Sequence, residues 1–151
     1  MIKRPMKAPG EPITDEQLEQ IKYPVYGSAK LDGFRAMVWD KVYTSSMKLL
    51  PNLYVQRSLS NGDYNGLDGE LIVGSYNDPN TFNNTTGPLR RRDGEPDFTF
   101  YVFDDFTYPT FTYATRWLIA NDFSLPRVVI LEQRKLNSPQ EVIVFEIECL
   151  T

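Results

Sequence analysis

Lys30-Leu31-Asp32-Gly33-Phe34-Arg35 brings an amine, a tight turn and a cation together within six residues. A lysine amine attacks an electrophile only when deprotonated, and desolvation or a neighbouring cation lowers its pKa toward that state. The flanks, Tyr26 to Ala29 and Phe34 to Trp39, are largely apolar and β-forming. The pattern Lys-x-Asp-Gly-x-Arg thus predicts an amine at the end of one strand and an arginine on the return strand. Gly33 is expected to supply the unusual backbone angle of the turn between them. The same six residues also fit a plain type I′ hairpin on Asp32-Gly33 with two solvated basic side chains beside it.

Further patterns follow in order. Thr44-Ser45-Ser46-Met47-Lys48-Leu49-Leu50-Pro51-Asn52 is a polar turn closed by a lysine. Gly66-Leu67-Asp68-Gly69-Glu70-Leu71-Ile72 is an acidic strand, and Phe100-Tyr101-Val102-Phe103-Asp104-Asp105-Phe106 is an aromatic strand. Together with the Lys30 hexapeptide, these runs resemble the successive motifs of covalent nucleotidyltransferases: ATP-dependent DNA ligases, RNA ligases and mRNA capping enzymes. With Thr85-Thr86-Gly87 and Asp93-Gly94-Glu95-Pro96-Asp97-Phe98, the pattern is most similar to DNA ligases of tailed bacteriophages. The resemblance runs from about Pro5 to the last residue.

That resemblance implies an ATP-grasp-like adenylation domain and assigns roles to single residues. Lys30 would attack the α-phosphorus of ATP and carry AMP as a phosphoramidate. Ala29, Lys30, Arg35, Glu70 and Phe103 would surround the nucleotide, with Arg35 a bidentate cation for ribose or nick phosphate. Glu70 would lie near both the ribose and a Mg²⁺ ion, and Phe103 would stack on adenine. One position departs from the pattern: Ser45 stands where most relatives carry an arginine, and a hydroxyl cannot replace a guanidinium fork. Lys48 keeps the closing lysine of that motif.

The elements that must position these residues are legible from periodicity and caps. Thr14 with Gln17 predicts a capping box for a short helix ending near Ile21 or Lys22. Strands are expected at about 24–30, 34–40, 53–57, 67–73, 98–104 and 127–133, with a turn after the second. A helix is expected at 112–121, and residues 74–97 read as a long loop of Gly, Pro, Asn and Thr. Ser138-Pro139-Gln140-Glu141 reads as an N-cap, a first-turn proline and a capping-box glutamate. The final helix then carries an apolar stripe of Val142, Phe145, Cys149 and Leu150, which assigns Cys149 to packing. The class is α+β with mainly antiparallel sheets.

Composition places limits on function. The 151 residues, 41% of them apolar, make about one domain rather than a disordered chain. The single cysteine excludes an internal disulfide and fits a reducing compartment. No apolar run approaches ~18 residues and the N-terminus is no signal peptide, so a soluble protein of the cytoplasm, the host's if viral, is expected. The formal net charge of −4 sits badly with phosphate binding, and Arg90-Arg91-Arg92 is the one local basic cluster. Neither the Glu-Gly strand nor the Lys-x-Lys strand that follows in these ligases occurs here. The expectation is therefore one partial adenylation domain over 1–151, cut at its C-terminal side, without an OB-fold, and inactive alone. Its partners would be nicked duplex DNA and a complementary C-terminal ligase fragment. A non-catalytic nucleotide- or partner-binding half, and an RNA ligase or capping-type enzyme, are the other readings.

Overall fold

The computed structural model describes residues 3–151. The described chain divides into two compact units: one comprises residues 3–5 and Leu31–Ile130, the other Met6–Lys30 and Leu131–Thr151.

The larger unit is built on a five-stranded sheet. Its strands are β2 (Phe34–Trp39), β3 (Lys41–Thr44), β4 (Leu67–Val73), β5 (Phe98–Asp105) and β6 (Val128–Ile130), in the order β3-β2-β4-β5-β6. Every pairing is antiparallel except β5 with β6, so the α+β expectation holds. One face of this sheet is apolar: Ala36, Val38, Leu67, Leu71, Phe98, Phe100 and Val102 are buried in a single cluster. Val55 and Leu59 of helix α2 (Leu53–Leu59) and Leu89 of α3 (Thr81–Arg90) join that cluster, and α4 (Tyr113–Asn121) adds Ala120.

Three expectations are overturned in this unit. Residues 53–57 are helical, not extended. Buried Asn52 caps α2 by accepting from Val55 N at 3.0 Å, and the i, i+4 pair Val55 and Leu59 faces the core. Residues 74–97 are not one loop but contain α3, despite Gly87 and Pro88. Its buried stripe of Thr81, Thr85, Thr86 and Leu89 recurs at helical spacing in polar residues, so hydropathy does not reveal it. The threonines are satisfied locally: Thr85 Oγ1 accepts from Val73 N at 3.0 Å, and Thr81 Oγ1 donates to Ser75 O at 2.7 Å. Finally, β3 occupies residues read as a turn, and it makes a hairpin with β2 through Asp40 at φ 60°.

Asn52 does more than cap. Its Nδ2 donates to the carbonyls of Arg91 and Gly94, both at 3.2 Å, which ties α2 to the segment after α3. Asn52→Ala should cost about 2 kcal/mol in urea unfolding, since it removes an N-cap and the carbonyl contacts of a buried amide. A loss below about 0.5 kcal/mol would show the clamp to be dispensable.

The smaller unit pairs β1 (Val25–Gly27) antiparallel with β7 (Arg134–Leu136) and carries α1 (Asp15–Glu19) and α5 (Pro139–Leu150). The Thr14–Gln17 capping box is present. Ser138 caps α5, but Glu141 reaches back to Asn137 N at 2.7 Å rather than to Ser138. Gly27 lies against Phe145 of α5, where any Cβ would meet the ring at 3.0 Å. Of the expected strand at 127–133 only β6, Val128–Ile130, is extended; β7 begins beyond it at Arg134 and belongs to the other unit. Cys149 and Leu150 are exposed, so the packing role expected for Cys149 does not hold. Among the described residues no helix is long and apolar enough to cross a membrane.

Candidate nucleotide-binding face

The second face of the five-stranded sheet collects the chemistry. Residues directly opposite in an antiparallel ladder point to the same side. Arg35 stands opposite Glu70, Glu70 opposite Tyr101, and Asp68 opposite Asp104, so these five share one face across β2, β4 and β5.

A bulge adds Phe103 to them. The register runs Asp68↔Asp104 and then Gly69↔Val102, so β5 spends one more residue than β4 at that step. Phe103 is the extra residue, and it stays on the face it shares with Tyr101 by alternation while Asp104 is turned to that face as well. Sequence neighbours thereby point the same way, which a regular strand forbids. Gly69 is needed beside the bulge because any Cβ there would collide with the Tyr101 carbonyl. The Tyr113 hydroxyl of α4 donates to the Phe103 carbonyl at 2.7 Å and holds the distortion in place.

Two forked ion pairs flank the ring. Arg35 Nε and Nη2 donate to Asp68 Oδ1 and Oδ2 at 2.7 and 2.8 Å, and Arg116 Nε and Nη2 donate to Asp104 Oδ1 and Oδ2 at 2.8 and 3.0 Å. The Arg35 guanidinium carbon lies 4.6 Å from the Phe103 ring centroid, a cation–π contact. Burial works against the Arg35 charge, yet the Asp68 hydrogen bonds with the charges of Asp68, Glu70 and Asp104 push its pKa up. Burial pushes the Asp68 carboxyl up, and Arg35 offsets only part of that. Burial and then the Asp104 charge push the Tyr113 phenol well above its ordinary range.

Of the residues singled out from sequence, Arg35, Glu70 and Phe103 come together on this face. Ala29 and Lys30 belong to the other unit, in the stretch 28–33 between β1 and β2, and Lys30 is exposed. The expected hairpin across Asp32-Gly33 does not form, because β1 pairs with β7 while β2 pairs with β3 and β4. Gly33 is also not in the left-handed region. It is a glycine for space, since a Cβ would meet the Leu71 carbonyl and Ile72. Ser45 lies in a tight turn where Thr44 N donates to Lys48 O at 2.8 Å, with Lys48 exposed at its end. Arg90, Arg91 and Arg92 are exposed, and Thr85-Thr86 are structural.

Sequence reasoning missed Asp68, Asp104, Tyr113 and Arg116 as parts of the site. The spacing of Tyr113 and Arg116, three apart on one helical face, was a usable signal, whereas the bulge had none. Among the described residues no three Asp, Glu, His or Cys side chains converge on a point that could hold a metal.

No protein-family model matches the sequence, and no curated protein matches it. Solved structures do match. The Chlorella virus DNA ligase-adenylate superposes with a TM-score of 0.79 at 22% identity, covering 99% of this chain. A second structure of the same ligase-adenylate gives 0.75 at 23% over 89% of this chain. A Lig E DNA ligase, described as binding DNA with a minimal scaffold, gives 0.60 at 20% over 80%. The chain spans 57%, 52% and 48% of the lengths of those three chains. It therefore shares the fold of these DNA ligase structures over about half of their length.

Proposed function

We propose that this chain is the nucleotide-binding part of an ATP-dependent DNA ligase that works through a lysyl-AMP intermediate. The observation that supports the reading is that an aromatic ring (Phe103), a guanidinium (Arg35) and the Glu70 carboxylate share one face of a sheet with the fold of ligase structures. An aromatic ring holds a purine by stacking without consuming hydrogen bonds, and a carboxylate accepts from ribose hydroxyls. Lys30 is the nucleophile: its Nζ forms a bond to the α-phosphorus as the bond to pyrophosphate breaks, and the amine loses a proton. AMP then passes to the 5′-phosphate of a nick, and the 3′-hydroxyl displaces it.

Magnesium belongs to the same proposal. Glu70 is the carboxylate that the resemblance assigns to the ion, while Asp68 and Asp104 each give both oxygens to arginines. That suits an ion which usually takes one or two carboxylates and completes its shell with phosphate and water. Bound, it would neutralise charge on the transferring phosphate. Nicked duplex DNA is the proposed substrate. Sealing is assigned to an arrangement that also supplies the Glu-Gly and Lys-x-Lys groups, in the same polypeptide or in a complementary fragment.

The test is nucleotide binding. Phe103→Ala should weaken ATP binding by roughly 1–3 kcal/mol, the range for one base–aromatic stack, and Phe103→Tyr should be mild. Calorimetry with parallel thermal unfolding decides the matter: lost stability without a separate binding defect would make Phe103 a core residue. A second reading, a nucleotide-binding half without chemistry, draws on Ser45 in place of the usual arginine. ATP bound reversibly, with no covalent label from α-labelled ATP, would favour it.

A further inference from the structure

Three consecutive arginines have no task in the proposed chemistry. Arg90 ends α3, Arg91 and Arg92 follow it, and all three are exposed. Arg35, Arg116 and Arg127 of the same unit each pair with an aspartate. Arg90, Arg91 and Arg92 form no ion pair among the described residues, although Asp93 and Glu95 follow directly in the chain.

The backbone beneath them is fixed. Asn52 Nδ2 donates to the carbonyls of Arg91 and Gly94, both at 3.2 Å, and Leu53 N donates to Arg92 O at 3.0 Å. The carbonyls are thus drawn onto the start of α2 while the guanidinium groups stay in water. Helix α2 adds a fourth cation. Arg57 lies one turn beyond Leu53 on the same exposed side, about 6 Å along the axis, and it too forms no ion pair among the described residues. Both helices pack on the apolar side of the sheet, so this patch lies away from Arg35 and Glu70.

Four neighbouring guanidinium groups without acids repel one another and concentrate a positive field in a chain whose net charge is −4. One carboxylate would neutralise only one of them. A nucleic-acid backbone offers an anion at every nucleotide, each able to take a guanidinium fork, and it gains by releasing its counterions. Resting on the reading of nicked duplex DNA as the substrate, we infer that Arg57, Arg90, Arg91 and Arg92 form a binding surface for the phosphate backbone of duplex DNA. The surface reads no sequence and is separate from the nucleotide face.

Fluorescence anisotropy of the 151-residue chain with a labelled nicked duplex, measured across salt concentrations, tests this. With four phosphates engaged, affinity should fall about a hundredfold between about 50 and about 200 mM salt. Arg57→Ala should flatten the slope of log affinity against log salt by about 0.9, and joint replacement of Arg90, Arg91 and Arg92 by Ala by about 2.7. Lysine at the same three positions should keep the slope, and an intact duplex of unrelated sequence should bind equally well. ATP binding by calorimetry and thermal unfolding should stay at wild-type values in all these variants. A wild-type salt slope in the triple Ala variant would overturn the inference. Equal binding to poly-glutamate would also overturn it and make the surface a dock for an acidic protein. A chain that binds ATP but no duplex sinks the patch and leaves the nucleotide reading standing. A chain that binds duplex through these arginines but no ATP upholds the patch and sinks that reading.

Discussion

Lys30→Ala abolishes covalent nucleotide transfer and leaves stability unchanged. This result is expected because Lys30 carries the one primary amine of the hexapeptide, and because its side chain is exposed in a stretch outside any strand. Removing the proposed nucleophile would leave no intermediate to trap, so the expected effect is complete loss rather than a fractional one. The measurement is incubation of the 151-residue chain with α-labelled ATP and Mg²⁺, followed by mapping of the acid-labile adduct. Lys30→Arg should be equally inert, since a guanidinium keeps its proton. Label that persists in Lys30→Ala, or maps elsewhere, refutes the assignment.

Asp68→Ala destabilises the fold by about 3 kcal/mol, and replacing Arg35 and Asp68 together by Met and Leu recovers most of that loss. Asp68 keeps 8% of its side-chain surface exposed and Arg35 23%. Truncating one partner leaves a mostly buried charge without its fork, whereas an apolar pair of similar volume removes both desolvation costs. The figure is at the low end of such effects because Arg35 retains some water and keeps its contact with the Phe103 ring. Urea unfolding of both variants measures it. Equal destabilisation of the single and double variants would mean that the pair contributes net attraction beyond avoiding an unpaired charge. The double variant should still fail to bind ATP normally, because Arg35 is part of the proposed pocket.

Much of the fold was readable where local chemistry and tertiary context agree. The strand at 67–73 was readable because Leu67, Gly69 and Leu71 alternate with Asp68 and Glu70, and only one face of that strand meets the core. The helix at Tyr113–Asn121 was readable from Thr112, which caps it by accepting from Thr115 N. Helices α2 and α3 were not. In α2 the run Leu53-Tyr54-Val55 has β-forming composition, and the Asn52 cap that outweighs it is itself held by the carbonyls of Arg91 and Gly94, distant in sequence. In α3 the buried residues are threonines, whose hydroxyls find backbone partners only once β4 and the Ser75–Asp78 turn are in place.

The amino-acid sequence by itself determined which residue types are available for chemistry and in what order: Lys30, Arg35, Glu70 and Phe103, each on a segment whose pattern marks it out. It could not determine which of them meet, because a strand's partner is set by long-range packing that leaves no periodic trace. The tertiary structure decided that β1 pairs with β7 rather than with β2, so the Asp32-Gly33 turn is no hairpin and Gly33 is required for space. It also decided the site's composition. One extra residue on β5 turns Asp104 to the face that Phe103 already shares with Tyr101, and two arginine forks then lock the face. A bulge is a mismatch between two strands, so neither strand's sequence contains it alone.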